Sequence, residues 1–117
     1  MIQAIASDPR ISAVAQKVIR ASKDTLGDRL EKVILFGSYA RGDFDAESDI
    51  DFLILEEIPQ NEANKWRSDI RKKIPGIDLD YDILVSLHVT GSEVFNKYLD
   101  ILPFYMNVIQ EGVEISV

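Results

Sequence analysis

Apolar residues recur at helical spacing near the start of the chain and define its first predicted element. They are Ile11, Val14, Ala15, Val18 and Ile19. Residues at this spacing lie on one side of a helix, so the segment has an apolar face. Asp8 is a typical N-cap residue, Pro9 suits the first helical position, and Gly27 is a common residue just past a helix end. The pattern predicts a helix over residues 8–26.

Three short segments have the pattern of β-strands. Residues 32–36 (KVILF) form a β-branched run, residues 50–55 (IDFLIL) are almost entirely apolar, and residues 79–85 (LDYDILV) alternate apolar and acidic side chains. Runs of this length and composition are typical of strands. The second run is apolar enough to be covered on both faces of a sheet. A short helix is expected at residues 39–42, between the first two strands.

Helical patterns fill most of the remaining sequence. A helix is predicted over residues 62–74, and another after Glu93 that Pro103 interrupts. A last helical piece over residues 104–110 is followed by alternating apolar residues, which predict a short edge strand at 113–117. The element order predicts an α/β fold of two layers, a small mixed β-sheet with helices packed on one face.

Length and composition exclude several classes of protein. A chain of 117 residues is expected to form one domain, residues 1–117. It has no cysteine, which excludes disulfides and thiolate metal sites. No apolar run approaches the roughly 18 residues that span a membrane, and the N-terminal sequence lacks the pattern of a signal peptide. We therefore expect a cytoplasmic protein without a membrane partner.

The net charge of −7 limits the possible ligands. A protein that binds nucleic acid usually carries a basic surface, so nucleic acid is not expected as a direct partner. An anionic ligand needs local positive groups or metal cations in a chain this acidic.

The pair Gly37-Ser38 follows the first predicted strand and precedes the short helix. Backbone amides at such a turn bind phosphate, and glycine allows a ligand to approach the backbone closely. The serine hydroxyl adds a donor, and Arg41 is near enough in sequence to reach the same anion. A tight turn with an N-cap serine is the alternative interpretation of this pair.

Two carboxylates, Asp49 and Asp51, stand at the start of the second predicted strand. Strand residues two apart point to the same face, with Cα atoms about 6.6 Å apart. Such carboxylates repel each other, and a divalent cation relieves the repulsion. Mg²⁺ prefers carboxylates, water and substrate phosphates. The alternative is a solvated strand end at which acids happen to alternate.

Asp80 and Asp82 repeat the same spacing in the third predicted strand. If that strand lies beside the second, one of these acids can join Asp49 and Asp51. Three carboxylates can hold two Mg²⁺ ions roughly 3.5–4 Å apart, the arrangement of a two-metal phosphoryl-transfer site. We favour Asp82, because an apolar run follows it as one follows Asp51; Asp80 is the alternative.

The string GSYARGDFDAESDIDFLIL, residues 37–55, resembles the minimal nucleotidyltransferase (MNT) branch of the DNA polymerase β-type nucleotidyltransferase superfamily. The resemblance extends over nearly the whole chain and implies that fold. In the family, the Gly-Ser pair binds the nucleotide phosphates, the two strand acids bind both magnesium ions, and a later acid binds the catalytic ion and helps activate the nucleophile. The matching positions are Gly37, Ser38, Arg41, Asp49, Asp51 and Asp82.

The resemblance also implies a function. Many MNT proteins act beside a HEPN-domain RNase toxin as the antitoxin of a type VII-like pair, and transfer AMP from ATP to a tyrosine hydroxyl of the toxin. We therefore expect an Mg²⁺-dependent protein adenylyltransferase with ATP as substrate and a HEPN-type toxin as partner. Two alternatives are a non-catalytic antitoxin that caps the toxin and a nucleotidyltransferase acting on a small molecule. The acceptor, the base selectivity and the oligomeric state stay open.

Two further features concern the second half of the chain. His88, the only histidine, is expected in a loop after the third strand, with no role or with a contact to phosphate or base. Residues 95–107 (FNKYLDILPFYMN) are rich in aromatic residues. Tyr, Phe and Met are enriched at the centres of interfaces, so this segment is hypothesised to form a partner or self-association surface.

Overall fold

The computed structural model describes residues 8–57 and 60–115. Its strands are β1 (Leu30–Phe36), β2 (Ile50–Glu56), β3 (Val85–Gly91) and β4 (Val113–Ile115). They form one sheet in the spatial order β3-β2-β1-β4. β1 is antiparallel to β2 and β4, whereas β3 is parallel to β2. The predicted mixed sheet is thus confirmed, with β3 and β4 as its edges in the described part of the chain.

Helices connect and cover these strands. They are α1 (Pro9–Leu26), α2 (Ser38–Arg41), α3 (Ala63–Lys72), α4 (Ile77–Tyr81), α5 (Ser92–Tyr98) and α6 (Pro103–Glu111). Short 3₁₀ turns at Gly27–Arg29 and Gln60–Glu62 precede β1 and α3. None of the helices within the described ranges combines the length and the apolar character needed to cross a membrane.

The first helix forms as its sequence predicts. The Asp8 carboxylate accepts hydrogen bonds from the amides of Arg10 at 2.9 Å and Ile11 at 3.4 Å. These bonds satisfy two of the amides that have no partner inside a helix. Pro9 occupies the first turn, and Gly27 ends the helix with a φ of 57°.

The larger core lies on one face of the sheet, beneath α1, α3 and α4. It joins the apolar stripe of α1 to alternate residues of the strands. The strand residues include Val33, Leu35, Ile50, Phe52, Ile54, Val85, Leu87 and Val89. Their alternation follows from the pleat, which directs every second side chain to the same face.

The opposite face carries a smaller apolar cluster. Ile34, Leu53 and Leu55 of the sheet pack there against Phe95 of α5 and Val108 of α6. The α/β fold class is confirmed, and β2 is covered on both faces as predicted. The helices, however, are not confined to one face, because α5 and α6 cover part of the second one.

The third strand was predicted in the wrong place. Residues 77–81 form helix α4, and the strand begins at Val85 rather than at Leu79. The alternating pattern led to a wrong prediction because it treated Leu79 and Leu84 as core residues of a strand. In the structure they are 88% and 61% exposed and do not face the core. Asp78 connects helix α4 to the start of β3 and to α3. Its carboxylate accepts a hydrogen bond from the Val85 amide at 2.9 Å and pairs with Arg71. These tertiary contacts outweigh the local strand pattern.

The C-terminal predictions agree with the structure. Pro103 lies in the first turn of α6, and Gly112 follows the end of this helix. The predicted edge strand is β4, which pairs with β1 through residues 113–115. The last two residues of that prediction, 116 and 117, lie outside the described residues.

Candidate active site

The end of β1 and the start of β2 bring Gly37 against Asp51. Phe36, the last residue of β1, is paired with Asp51 across the two strands. Gly37 follows with a φ of 77°, and a Cβ atom there would lie 2.5 Å from Oδ2 of Asp51. A side chain at residue 37 would therefore force the Asp51 carboxylate to move. The glycine is required both by its backbone angle and by this close approach.

Asp51 has an unusual electrostatic environment. Burial raises the pKa of its half-buried carboxyl, the charge of Asp49 raises it further, and the charge of Arg41 opposes the rise. The two aspartates are therefore close enough to repel each other, as their spacing predicts. Asp49 is exposed immediately before β2, so the pair opens toward solvent.

Helix α2 begins at Ser38, directly beside these carboxylates. The Gly37 carbonyl accepts from the amides of Ala40 and Arg41, both at 3.1 Å. The amides of Ser38 and Tyr39 precede this first bonded turn. Tyr39 is buried and stacks on Phe44 at 4.2 Å, which fixes the helix against the larger core and holds Ser38 beside the site.

Arg41 lies at the end of α2 on the same side. Its Nε donates to Asp43 at 3.1 Å, and one of its terminal nitrogens donates to Glu111 of α6 at 2.9 Å. The bond to Asp43, followed by the bond to Glu111, raises the pKa of Arg41. Glu111 was not predicted as part of the site, because sequence separation alone does not show that α6 returns to α2.

Asp82 is not on a strand. It is an exposed residue at the end of α4 with a φ of 51°, and its carbonyl accepts a 3.5 Å bond from Arg10. Asp80 is exposed within α4. Within residues 8–57 and 60–115, no three acidic or histidine side chains are grouped as metal ligands. The strand argument for a third carboxylate is wrong, and the role of Asp82 stays a prediction that rests on the family resemblance.

The residue of β3 that lies beside Asp51 is Ser86. Side chains of laterally paired residues point to the same face of a sheet, so Ser86 faces the same way as Asp51. Its Oγ lies 3.2 Å from Nε2 of His88. His88 is inside β3, not in a loop as predicted. Alternation of apolar Val85 and Leu87 with these polar residues was the signal that could have placed the strand correctly.

An aromatic cluster covers the sheet next to these polar residues. The His88 ring is 5.4 Å from the Phe36 ring and 5.6 Å from Phe104 of α6, and Phe36 and Phe104 meet edge to face at 5.5 Å. Burial lowers the pKa of His88, and the charge of Arg67 lowers it further. The site therefore has a neutral aromatic wall on one side and carboxylates on the other.

The donor set at the site suits a divalent cation. Asp49 and Asp51 supply oxygen ligands, and their mutual repulsion is relieved when a cation binds between them. The exposed side of the pair leaves room for water or substrate phosphates as further ligands. The expected three-carboxylate cage for two ions does not form in the described residues.

A Gly-Ser turn at one strand end, set against two carboxylates at the start of the next strand, agrees with the nucleotidyltransferase resemblance of the sequence. The chain belongs to the nucleotidyltransferase domain family, whose sequence model matches residues 16–111. This match confirms the family resemblance of the sequence and identifies the chain as a nucleotidyltransferase.

Two curated relatives are candidate protein adenylyltransferases of Methanocaldococcus jannaschii. One is 36% identical over 97 residues, which cover 83% of this chain and 89% of the relative. The other is 43% identical over 81 residues, which cover 68% of this chain and 79% of the relative.

Solved structures have the same fold. A candidate nucleotidyltransferase of Sulfolobus solfataricus matches with a TM-score of 0.58 at 23% identity, over 97% of this chain and 86% of the other. A toxin–antitoxin complex solved with AMP-PNP matches with a TM-score of 0.54 at 23% identity, over 85% of this chain and 69% of the other. At this identity, both structures support the fold alone.

Proposed function

We propose that this protein transfers the adenylyl group of ATP to a tyrosine hydroxyl of a HEPN-type RNase toxin, and acts as the antitoxin of that toxin. Two relatives that this chain covers over most of their length are candidate protein adenylyltransferases. One structure of the same fold is a toxin–antitoxin complex with AMP-PNP, and another is the MntA–HpeT toxin–antitoxin pair.

The contact between Gly37 and Asp51 is the observation that carries the proposal. Because residue 37 has no side chain, the Asp51 carboxylate occupies the space that a Cβ would take, beside the turn that would bind a nucleotide. Phosphates bound at the Ser38 turn therefore lie beside Asp49 and Asp51. Arg41, whose charge reaches Asp51, adds positive charge for the same phosphates.

The bond changes define what the site must do. The acceptor oxygen forms a bond to the α-phosphorus of ATP, the bond to the β-phosphate oxygen breaks, and pyrophosphate leaves. Asp49 and Asp51 would hold Mg²⁺, which supplies charge stabilisation to the phosphates when bound. The amides of the α2 turn and Arg41 hold the triphosphate, and Gly37 keeps the path to Asp51 open.

The proposal is tested with purified toxin, ATP and Mg²⁺, followed by intact-mass measurement of the toxin. We expect a mass increase of one AMP on a tyrosine with the wild type and none with Asp49→Asn/Asp51→Asn. Asp24→Asn/Asp28→Asn is the matched control, because it removes two exposed acids that precede the start of β1, whereas the site follows the end of that strand. Continued AMP transfer by the Asp49→Asn/Asp51→Asn variant would contradict the site assignment.

A second candidate function, a non-catalytic antitoxin, is favoured by one observation. Large apolar side chains are exposed on and before α6, and they are Ile101, Leu102, Phe104, Met106 and Ile109. Such exposed apolar groups are typical of protein-binding surfaces. If Asp49→Asn/Asp51→Asn still neutralises the toxin at equal protein levels, binding alone is sufficient; if it fails, AMP transfer is required.

A further inference from the structure

The proposed adenylyl transfer needs a proton acceptor, and the following inference rests on that function. A hydroxyl that attacks phosphorus loses its proton, and a positioned base increases the rate of such a step. Asp49 and Asp51 are the carboxylates that the structure brings together, and both are needed for a cation. A third carboxylate does not join them in the described part of the chain.

Ser86 occupies the position beside Asp51 on the neighbouring strand. The register of β2 and β3 pairs Asp51 with Ser86 and Leu53 with His88. Paired strands lie about 4.8 Å apart, so the Ser86 side chain is a direct neighbour of the Asp51 side chain on the same face. An acceptor hydroxyl that reaches the cleft at Asp51 therefore also meets Ser86.

Ser86 and His88 form a hydrogen-bonded pair. Oγ of Ser86 lies 3.2 Å from Nε2 of His88, the distance expected of a hydroxyl and its base. The rings of Phe36 and Phe104 pack on the imidazole and hold it in place. The histidine is thus fixed with Nε2 toward the hydroxyl that faces the site.

The surroundings keep the imidazole neutral. Burial lowers the pKa of His88, and Arg67 of α3 adds to this effect. Phe36 of β1 and Phe104 of α6, which pack on it, carry no charge. Asp51 lies on the same face of the sheet, two residues along β2 from Leu53, the residue that pairs with His88. A neutral imidazole has one nitrogen free to accept a proton.

We infer that Ser86 and His88 form a proton relay for adenylyl transfer, at the strand position beside Asp51. Oγ of Ser86 takes the proton of the acceptor hydroxyl and passes its own proton to Nε2 of His88. The acceptor oxygen bonds to the α-phosphorus, pyrophosphate leaves, and the proton ends on the imidazole. Ser86 is the catalytic residue of the pair, and His88 acts through it.

The first test does not depend on activity. His88 is the only histidine of the chain, so its NMR signals are unambiguous. At pH 7 we expect a neutral ring with the proton on Nδ1, and an Nε2 shift that changes in Ser86→Ala. A proton on Nε2 at this pH would overturn the relay, because that nitrogen could not accept another.

The second test compares rates. Ser86→Ala and His88→Asn should each lower the rate of AMP transfer by roughly 10²-fold, and the double variant should be no slower because the two residues act as one unit. Ser12→Ala, at a partly buried serine on α1, is the matched control and should keep the wild-type rate. Additive losses, or single variants within threefold of the wild type, would contradict the relay.

A rescue separates catalysis from structure. Asp at residue 86 would stand beside Asp51, so Ser86→Asp in the His88→Asn background should recover at least about tenfold of the rate by supplying a carboxylate base. No recovery would contradict the proposal. Melting curves identify any variant that fails to fold.

The rates are measured both as AMP transfer to the toxin and as release of pyrophosphate from ATP with water as acceptor. A wild type that releases pyrophosphate but labels no protein contradicts the proposed acceptor alone. A His88→Asn variant that matches the wild type in both reactions contradicts the relay alone. If neither reaction occurs, the NMR experiment is still a test of the relay, because a proton on Nε2 of His88 at pH 7 would overturn it.

Discussion

The two faces of β2 differ in what they contact and in their proposed roles. Ile50, Phe52 and Ile54 point into the larger core beneath α1, whereas Asp51 and Leu53 point to the opposite face. The first face is apolar from Ile50 to Ile54 and fixes the strand. The second face carries the Asp51 carboxylate near the strand start and apolar residues further on. The same strand therefore fixes the site on one face and exposes its carboxylate on the other.

The difference explains how a charged site is held rigidly. Burying Asp49 and Asp51 fully would be costly, so the pair lies where the strand leaves the core. The apolar residues on the other face supply the stability that the site lacks. Substitutions on one face should therefore change stability, and substitutions on the other should change chemistry.

Phe52→Ala tests the core face and has the largest expected effect on folding. Phe52 is fully buried, and removing a buried aromatic ring costs about 3–5 kcal/mol. Urea denaturation measures this loss. The neighbouring Asp51→Asn, on the other face, should abolish AMP transfer without such a loss. Equal destabilisation by both variants would contradict the division between the faces.

Gly37→Ala tests the contact between the two strand ends. The new Cβ would lie 2.5 Å from Oδ2 of Asp51, and the φ of 77° is strained for alanine. We expect a loss of about 1–3 kcal/mol and a large fall in AMP transfer. Gly42→Ala is the control, because it has a φ of 88° but nothing within 4 Å of its Cβ. It should lose stability and keep activity; equal activity in both variants would rule out the steric role of residue 37.

The pH dependence of stability tests the repulsion at Asp51. Its pKa is raised in the folded protein, so the ionised form destabilises the fold above that pKa. Without divalent cations, Asp51→Asn should be more stable than the wild type at pH 7. This advantage should shrink as the pH falls through the raised pKa, because the wild type becomes protonated. Denaturation midpoints in EDTA at successive pH values measure it; a constant difference would contradict the assignment.

Glu111→Gln has the smallest expected effect. Glu111 pairs with Arg41 at 2.9 Å, and both side chains are partly exposed. Exposed pairs contribute at most about 1 kcal/mol, so stability should barely change while ATP binds slightly more weakly in calorimetry. Glu114→Gln removes the exposed pair with Lys32 and should leave ATP binding unchanged. Tighter ATP binding in both variants would instead indicate a general charge effect, because each substitution removes a negative charge that repels the triphosphate.

The sequence predicted the first half of the fold well because its signals are local. Asp8, Pro9 and Gly27 define α1 without help from distant residues. The Gly37-Ser38 turn and the Asp49–Asp51 spacing likewise depend on short-range geometry. These parts of the fold were placed correctly, and the assignment of Gly37, Ser38, Asp49 and Asp51 to the site stays a prediction.

The second half depends on contacts that the local pattern does not contain. Asp78 connects α4 to the start of β3, and this contact shifts the strand to Val85. The observed strand β3 therefore excludes Asp82 and includes Ser86 and His88. Glu111 reached Arg41 only because α6 packs back on the sheet.

The position of the label in ATP tests the central claim most directly. The protein is incubated with the proposed toxin partner and Mg²⁺, using ATP labelled either at the α-phosphate or at the γ-phosphate. Nucleotidyl transfer at Asp49 and Asp51 predicts that the α label stays on the toxin, while the γ label appears only in pyrophosphate. A γ label on the toxin, or an α label that persists in Asp49→Asn/Asp51→Asn, would contradict the account.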